Sequence, residues 1–227
     1  MKNSILIVVM TMVLVLSTGI IAFANNDQPT DLFEEYHKRL AWSDNLTDVT
    51  DDDWFRSLPL AIYPIMRGVT ETEWAPNQPM TRAMFATILY RLEGEPEVAN
   101  STSPFTDITL GQWYSNAVNW AASLEIVTGV GNNLFDPNSN VTREQMAVML
   151  KNYSDYRTDT LRLKNGLTSV SYSSFKDLSD VSDWAQESMK WAVENGLMKG
   201  TNIGLEPQST STRAQVAQFV YNYTMAR

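Results

Sequence analysis

The chain has 227 residues, 44% of them apolar, and its 26 acidic and 17 basic side chains give a formal net charge of −9. That balance argues against a nucleic-acid binder, because phosphate contacts need clustered lysine and arginine. Cysteine is absent, which excludes disulfides and thiolate sites. The fold must therefore be held together by packing, and the apolar fraction suffices for one substantial domain or a tight array of repeats.

Residues 1–24 have the pattern of a secretory signal peptide. Lys2 is the only charge, Ile5–Leu16 is an apolar run, and Ala22 and Ala24 supply small residues before the predicted cleavage point. The alternative is an uncleaved membrane anchor, but a span needs about 20 continuous apolar residues and this run is shorter. We therefore expect export and cleavage after Ala24, which leaves a mature chain of charge −10 because Lys2 is lost.

Residues 25–45 are predicted to be a lead-in segment. Four of its side chains have the spacing of one helix face, namely Phe33, Tyr36, His37 and Leu40. We expect a short helix that packs on the rest of the chain. His37 is the only histidine, and no nucleophile or partner motif stands beside it, so it is a poor catalytic candidate.

From residue 46 the chain repeats one pattern in three copies, which span residues 46–94 (copy 1), 104–153 (copy 2) and 174–227 (copy 3). Each copy opens with an apolar residue, any residue and an aspartate, which is followed by a tryptophan six or seven positions later and then by a loop glycine. Self-similarity at a fixed period is the signature of a repeat architecture. The three positions are occupied by Asp48, Asp107 and Asp177, by Trp54, Trp113 and Trp184, and by Gly68, Gly129 and Gly200.

The tryptophan begins the first predicted helix of each copy. In copy 2 the residues on its apolar face are Trp113, Ala117, Trp120, Ala121 and Leu124, and this helix is predicted to end near Gly129. In copy 1, Pro59 and Pro64 fall inside the same segment, where each interior proline costs about 3 kcal/mol. We therefore expect a shortened or kinked helix in copy 1.

A Thr-Arg pair begins the second helix of each copy, and these pairs are Thr81-Arg82, Thr142-Arg143 and Thr212-Arg213. Threonine is a good N-cap, and Gln145 and Gln215 complete a capping box three residues later, whereas Met84 leaves the box of copy 1 incomplete. Apolar residues then recur at helical spacing, so each helix has one apolar face. Three such helices must pack together. The predicted stripes are Phe85/Ile88/Leu89/Leu92, Met146/Met149/Leu150/Tyr153 and Val216/Phe219/Val220/Tyr223.

Residues 154–173 form an insertion between copies 2 and 3. The segment is polar, with only Leu161, Leu163 and Leu167 scattered through it. We interpret it as an excursion at the surface.

This arrangement resembles the S-layer homology family, and copy 2 carries the resemblance most fully. Its matching motifs are Phe105-Thr106-Asp107, Trp113 to Val118, Phe135-Asp136-Pro137 and Thr142-Arg143-Glu144-Gln145. The resemblance covers residues 46–223 apart from the insertion. It departs from the family pattern where the helix start has Met84, Gln145 or Gln215 in place of glutamate, and where copy 1 has Trp74.

The resemblance implies an all-α fold in which three helix-loop-helix repeats form a pseudo-trimeric, three-pronged array around a central three-helix bundle. It also implies a non-catalytic anchoring module at the bacterial cell surface, in the cell wall or S-layer. The implied partner is secondary cell wall polysaccharide that carries pyruvyl ketals, bound in grooves between adjacent prongs. No cofactor, metal, nucleic acid or membrane is implied for the mature chain, and the oligomeric state stays open.

The groove residues that the resemblance implies come from four positions of each repeat. The arginine stands one residue past an N-cap, where unpaired N–H groups and the helix dipole favour an anion such as a ketal carboxylate. Each position also has a plainer interpretation: an ion pair for the arginine, core packing for the tryptophan, and a cap for the aspartate. The implied polysaccharide-binding residues are Arg82, Arg143, Arg213, Trp54, Trp113, Trp184, Asp48, Asp107, Asp177, Gly68, Gly129 and Gly200.

Other functions are weaker on the sequence. A glycan hydrolase needs one distinct carboxylate pair, whereas the carboxylates here recur with the repeats. The acidic run at residues 51–53 lacks the ligand spacing of a calcium loop, so it reads as a solvated helix start. A surface protein–protein interaction module that has lost glycan binding is the alternative, because copy 1 departs furthest from the pattern. We expect Arg143→Ala to weaken glycan binding more than Arg82→Ala does, since copy 2 is nearest the family.

Overall fold

The computed structural model describes residues 29–98, 102–161 and 170–227. These residues form seven α-helices and no strand or sheet, which confirms the all-α class. None of the described helices has the length and apolarity needed to cross a membrane, and the predicted signal peptide lies outside these residues. The helices are α1 (Pro29–Asp44), α2 (Leu58–Ala61), α3 (Arg82–Leu92), α4 (Ser115–Ser123), α5 (Arg143–Tyr156), α6 (Gln186–Glu194) and α7 (Arg213–Ala226), with short 3-10 turns at Tyr172–Ser174, Leu178–Asp180 and Asp183–Ala185.

The chain divides into two compact units, residues 1–41 and residues 42–227. Most of α1 belongs to the first unit, and it supplies the helix predicted for the lead-in segment. Within this unit Arg39 pairs with Glu35 across one helical turn, at 2.9 Å. The second unit contains the three copies and the insertion, and it is described by itself below.

The Thr-Arg helices α3, α5 and α7 carry the predicted apolar stripes, and every residue of those stripes is buried. Helices α3 and α5 pack against each other, and the rings of Tyr153 on α5 and Tyr223 on α7 lie 6.0 Å apart. The caps also follow the sequence. Complete capping boxes begin α5 and α7, whereas at α3 the Thr81 hydroxyl accepts only the Met84 N–H.

The first helices of copies 2 and 3 are shorter than predicted, because they end at Ser123 and Glu194. In copy 2, α4 ends at Ser123 and not near Gly129, because Glu125 adopts a positive φ of 57° and the chain reverses there. The Ile126 N–H then returns to the Ala121 carbonyl at 2.8 Å, a helix-ending bond of the left-handed cap type. In copy 1 the prediction of a shortened helix is confirmed, since α2 has four residues and Pro59 lies in its first turn.

The tryptophan at the start of each copy does not lie on the buried helix face, so that part of the prediction is wrong. Trp113 precedes α4 and Trp184 lies in the 3-10 turn before α6, where the backbone points them away from the core. Trp54, Trp113 and Trp184 are 62%, 61% and 58% exposed, whereas Trp120 is buried.

The copies are joined in a closed ring through the first N–H groups of the Thr-Arg helices. Helix α3 docks on the loop of copy 2, α5 on the loop of copy 3, and α7 on the loop of copy 1. Each docking uses two hydrogen bonds to loop carbonyls. The first N–H groups of each helix would have no acceptor if the neighbouring copy were absent. The bonds run from Arg82 and Ala83 to Ser139 and Pro137, from Arg143 and Glu144 to Ser209 and Pro207, and from Arg213 and Ala214 to Gln78 and Pro76, at 2.9–3.1 Å.

The described part of the insertion lies mostly at the surface, as predicted, because residues 155–158, 160, 170, 171 and 173 are exposed, but it also makes contacts with the rest of the unit. Residues 154–156 extend α5, and Leu161 packs half-buried against the core. Arg157 forms an ion pair with Glu93 at 2.8 Å, and the Tyr223 hydroxyl donates to the Asp159 carboxylate. The segment therefore fastens copies 1, 2 and 3 together at one end of the bundle. Leu163 and Leu167 lie outside the described residues.

Candidate functional site

The three Thr-Arg arginines each cross from one copy to the next. In junction A, the Nε of Arg82 donates to the Phe135 carbonyl at 2.8 Å and its Nη2 to the Thr128 carbonyl at 2.9 Å. Junction B repeats this with Arg143 donating to Leu205 and Lys199, at 2.7 and 2.8 Å. Junction C closes the ring with Arg213 donating to Trp74 and Arg67, at 2.9 and 2.7 Å.

These contacts correct the predicted chemistry of the helix starts. The first N–H groups of α3, α5 and α7 are bonded to loop carbonyls or to the capping threonine, so they are not available to an anion. The arginines are also more than 90% buried, which makes them cross-links between copies and not surface ion pairs. What they offer a ligand is the part of the guanidinium that faces a groove.

Burial lowers the pKa of each of these arginines, and nearby carboxylates oppose that effect. Asp136 and Asp107 raise the pKa of Arg82, and Glu206 and Asp177 raise the pKa of Arg143. For Arg213 burial lowers the pKa to about 10, because Asp48 is the one opposing charge. Copy 1 has Ala75 at the position of Asp136 and Glu206. All three guanidinium groups remain charged at neutral pH.

The predicted aspartates have the structural role of a cap on the loop. Asp107 accepts the N–H groups of Phe135 and Asp136 at 2.9 and 2.7 Å, and Asp48 and Asp177 bond the equivalent pairs in their copies. Burial raises the pKa of the Asp177 carboxyl, but the backbone N–H donors of Leu205, Glu206 and Asp177 itself, together with the charge of Arg143, outweigh it and leave that pKa lowered. Because Arg82 binds the carbonyl of Phe135, aspartate and arginine hold the same loop residue from its two ends.

The loop glycines are required by close approach of the backbone. A Cβ atom built on Gly129 would lie 2.6 Å from the Leu134 carbonyl oxygen, and one built on Gly68 would lie 2.7 Å from the carbonyls of Thr70 and Glu73. Gly200 is equally confined, by Phe175 and Gly204. The absence of a side chain at these glycines lets the backbone segments of the loop pack closely.

Groove A is a cavity of about 520 Å³ that draws on all three copies. Copy 1 contributes Arg82, copy 2 contributes Gly129 and Gln145, and copy 3 contributes Trp184. The remaining lining residues come from copy 2, and most of them are apolar: Ile126, Thr128, Val130, Val148 and Met149.

Groove B is a cavity of about 390 Å³ with the same construction, shifted by one copy. Copy 2 contributes Arg143, copy 3 contributes Gly200 and Gln215, and copy 1 contributes Trp54. The structure thus brings together the predicted arginine, glycine and tryptophan in both grooves, whereas the predicted aspartates lie outside the two linings. Copy 3 also contributes Lys199, Gln218 and Asn222.

The third set of predicted residues is only partly assembled. Arg213 reaches the carbonyl of Arg67, the residue before Gly68, so junction C has the same geometry as the others. Trp113 is exposed, and no described contact joins it to Arg213. The rotation that relates grooves A and B predicts that Trp113 belongs to a third groove at junction C.

Two features of the site escaped the sequence analysis. Glu144 is buried in copy 2 and its carboxylate accepts the N–H and hydroxyl of Ser182 at 3.0 Å, which ties α5 to the turn before α6. The equivalent residues are Ala83 and Ala214, and this break in the repeat was the available signal. The second feature is the position before the loop glycine, whose carbonyl each arginine binds and whose side chain differs in every copy.

The acidic run at residues 51–53 serves local structure. Asp53 accepts the Thr50 N–H at 2.7 Å, and Asp51 pairs with Arg56 at 3.1 Å. Across the part of the chain that the structure describes, no cluster of acidic or histidine side chains is arranged to hold a metal ion.

Comparison with protein families identifies two segments of the chain. The model of the S-layer homology domain matches residues 104–147 and 174–217, which lie within copies 2 and 3. Copy 1 falls outside the matched segments, although its loop and its aspartate make the same contacts as those of the other copies.

Several curated proteins are similar to most of this chain. An S-layer protein of Bacillus anthracis is 30% identical over 76% of the chain, which corresponds to 20% of that protein. An amylopullulanase of Thermoanaerobacterium thermosulfurigenes and an exoglucanase of Acetivibrio thermocellus are each 31% identical over 75% of the chain, but over only 9% and 15% of their own lengths. The chain therefore spans a fifth or less of the length of these relatives.

Proposed function

Because two of its segments match the S-layer homology domain, we propose that this chain is a non-catalytic module that anchors to the bacterial cell wall. Its partner in this proposal is secondary cell wall polysaccharide that carries pyruvyl ketals. The observation that carries the proposal is the construction of grooves A and B, each of which gathers an arginine, a loop glycine and an exposed tryptophan from three different copies.

The exposed tryptophans support a sugar ligand. Burying apolar surface yields about 25 cal/mol per Å², so a large aromatic ring left in water is unfavourable unless something else covers it. Trp54 and Trp184 are 62% and 58% exposed at the rims of their grooves, and Trp113 repeats the pattern at 61%. A flat aromatic face beside polar side chains suits the apolar face of a pyranose ring.

The charge distribution supports an acidic polymer bound locally. The chain carries a net charge of −9, which on its own would repel a polyanion. Grooves A and B nevertheless each present a guanidinium group, and neither lining includes an aspartate or a glutamate. Weak sites at two or more junctions on one repeating polymer would add their affinities as avidity.

The groove linings also support a binding function over catalysis. Hydrolysis of a glycosidic bond generally needs two carboxyl groups about 5 to 10 Å apart across the substrate. The described linings of grooves A and B contain no carboxyl group. The enzymes among the relatives are matched over 9% and 15% of their lengths, and the S-layer protein among them supports a location at the cell surface.

A second function is favoured by copy 1 alone. Its first helix has four residues, its helix cap lacks the glutamine, and its loop carries the exposed acids Glu71 and Glu73. These changes suit a contact with another wall protein at junction C, while grooves A and B keep the glycan.

The proposal is tested by co-sedimentation of the mature chain with purified cell wall, with the ketals present or removed by mild acid. We expect binding to fall by about tenfold or more when the ketals are removed, and again in a Trp54→Ala/Trp184→Ala double variant. Leu32→Ala, an exposed apolar side chain on α1, is the matched control and should bind like the unchanged chain. Binding that is unaffected by ketal removal would favour the protein-interaction function instead.

A further inference from the structure

Grooves A and B share a frame but differ in polarity at three equivalent positions. The loop glycines Gly129 and Gly200 and the capping glutamines Gln145 and Gln215 align the two linings. From these anchors, groove A has Thr128, Val130 and Val148 where groove B has Lys199, Thr201 and Gln218. All three differences make groove B more polar, and one of them adds a positive charge.

The charged difference sits at a position that the fold fixes. Arg143 binds the carbonyl of Lys199 as Arg82 binds the carbonyl of Thr128, at 2.8 and 2.9 Å. The backbone of this residue is thus pinned beside the groove, and its side chain is free to vary without disturbing the junction. Among the described residues, the Lys199 ammonium forms no ion pair or hydrogen bond, and the residue is exposed.

The acidic groups near junction B are already engaged. Asp177 accepts two backbone N–H groups, and Glu206 accepts the Thr201 hydroxyl at 2.6 Å. The charges of both carboxylates raise the pKa of Arg143, against the lowering that burial causes. They leave Lys199 as an unengaged cation on the groove lining, next to Gly200 and on the same cavity as Trp54.

Resting on the proposed function, we infer that groove B is the subsite that recognises the ketal carboxylate, and that Lys199 is its specificity-determining residue. The ammonium pairs with the carboxylate in a charge-assisted hydrogen bond while the Trp54 ring covers the sugar. Groove A has threonine and valine at the equivalent positions, so Arg82 is the one cation in its described lining and it distinguishes a charged from an uncharged sugar less strongly. The two grooves therefore differ in how tightly they hold an acidic sugar of the polymer.

The inference is tested with a 4,6-O-pyruvyl ketal of a methyl hexoside and with its methyl ester, which keeps the shape and removes the charge. Binding is followed by NMR on 15N-labelled mature protein, with the indole N–H signal of Trp54 reporting groove B and that of Trp184 reporting groove A. Trp54→Phe and Trp184→Phe assign the two signals. We expect the acid to bind about tenfold more tightly than the ester at Trp54 and to show a smaller preference at Trp184, where Arg82 is the one cation in the described lining.

Reciprocal variants supply the matched controls. Lys199→Thr should lower the preference for the acid at Trp54 to that seen at Trp184, Lys199→Arg should preserve it, and Thr128→Lys should raise the preference at Trp184 to that seen at Trp54. An acid preference at Trp54 that Lys199→Thr leaves unchanged would overturn the inference while leaving the proposed function intact. A wild-type protein that binds neither compound at either tryptophan would overturn both.

Discussion

Junctions A and C have the same hydrogen bonds but different electrostatics. Arg82 and Arg213 each donate to two carbonyls of the next loop, and both are buried. Arg82 is opposed by two carboxylates, whereas Arg213 is opposed by one, because Ala75 replaces an acid. Copy 1 lies outside the segments that the family model matches, yet it has the same backbone geometry as the other copies. It differs from them in charge, because it lacks the second acid.

The difference follows from which groups hold the loop. The aspartate and the arginine bind backbone N–H and carbonyl groups, so they place no demand on the intervening side chains. Copy 1 has no capping glutamine, a first helix of four residues and no second acid, yet it docks in the ring like the other copies. Fold and ligand chemistry are separable in this array.

The largest effect is expected from the arginines themselves. Replacing one by alanine leaves two loop carbonyls without their donor, and we expect a loss of about 3 kcal/mol in the free energy of unfolding. The loss should be smallest for Arg213→Ala, whose charge is the least compensated. Urea unfolding of the three single variants gives the order, and an Arg213→Ala loss as large as that of Arg82→Ala would erase the contrast between the junctions.

A smaller effect is expected at the far end of the bundle, where copies 2 and 3 have Tyr153 and Tyr223 and copy 1 has Leu92. The hydroxyls donate to Glu93 and Asp159, and Tyr223→Phe should cost about 1.5 kcal/mol at neutral pH. Burial, followed by these carboxylates, raises the pKa of both phenols above the ordinary value of about 10.

A raised pKa means that the folded state holds the phenol proton more tightly than the unfolded state does. The tyrosine contribution is therefore complete below about pH 10 and is lost as the pH rises above it. Thermal melts between pH 7 and 11 should show the stability of the unchanged chain falling toward that of Tyr223→Phe. A constant gap across that range would show that the phenol is not held in this way.

The smallest effect is a gain. Ala75→Asp restores the missing acid at junction C, and aspartate tolerates the positive φ of 56° at this position better than alanine does. We expect about 1 kcal/mol of added stability, and the pKa of Arg213 should rise. Asp136→Ala in copy 2 is the matched reverse change, since its φ is 59°. If neither Ala75→Asp nor Asp136→Ala changed the stability relative to the unchanged chain, the second acid would be irrelevant to the junction.

The sequence predicted the repeats, the caps and the apolar stripes because these depend on local spacing. Pro59 likewise indicated that α2 would be short. The exposed positions of Trp113 and Trp184 were not predictable, because a periodicity pattern does not distinguish a residue on the helix face from one in the turn that precedes the helix. The left-handed Glu125 that ends α4 gave no signal either, because glutamate is not typical of that conformation.

The site was predictable as a set of residues but not in its assembly. Arginine, glycine and tryptophan of one repeat do not meet; each groove takes them from three copies. The helix-start N–H groups expected for the ligand are bonded to a neighbouring loop, a contact that depends on ring closure and has no local signature. Lys199 does not stand out in the repeat pattern, because the three copies have different side chains at this position.

The most direct test of the account is calorimetric titration of the mature chain with purified wall polysaccharide, repeated with polymer whose ketals have been removed. The account predicts saturable binding that weakens at least tenfold without the ketals and in the Trp54→Ala/Trp184→Ala variant, whose fold should be unchanged by circular dichroism. Equal heats and affinities for both polymers and both proteins would contradict the claim that these grooves hold an acidic wall glycan.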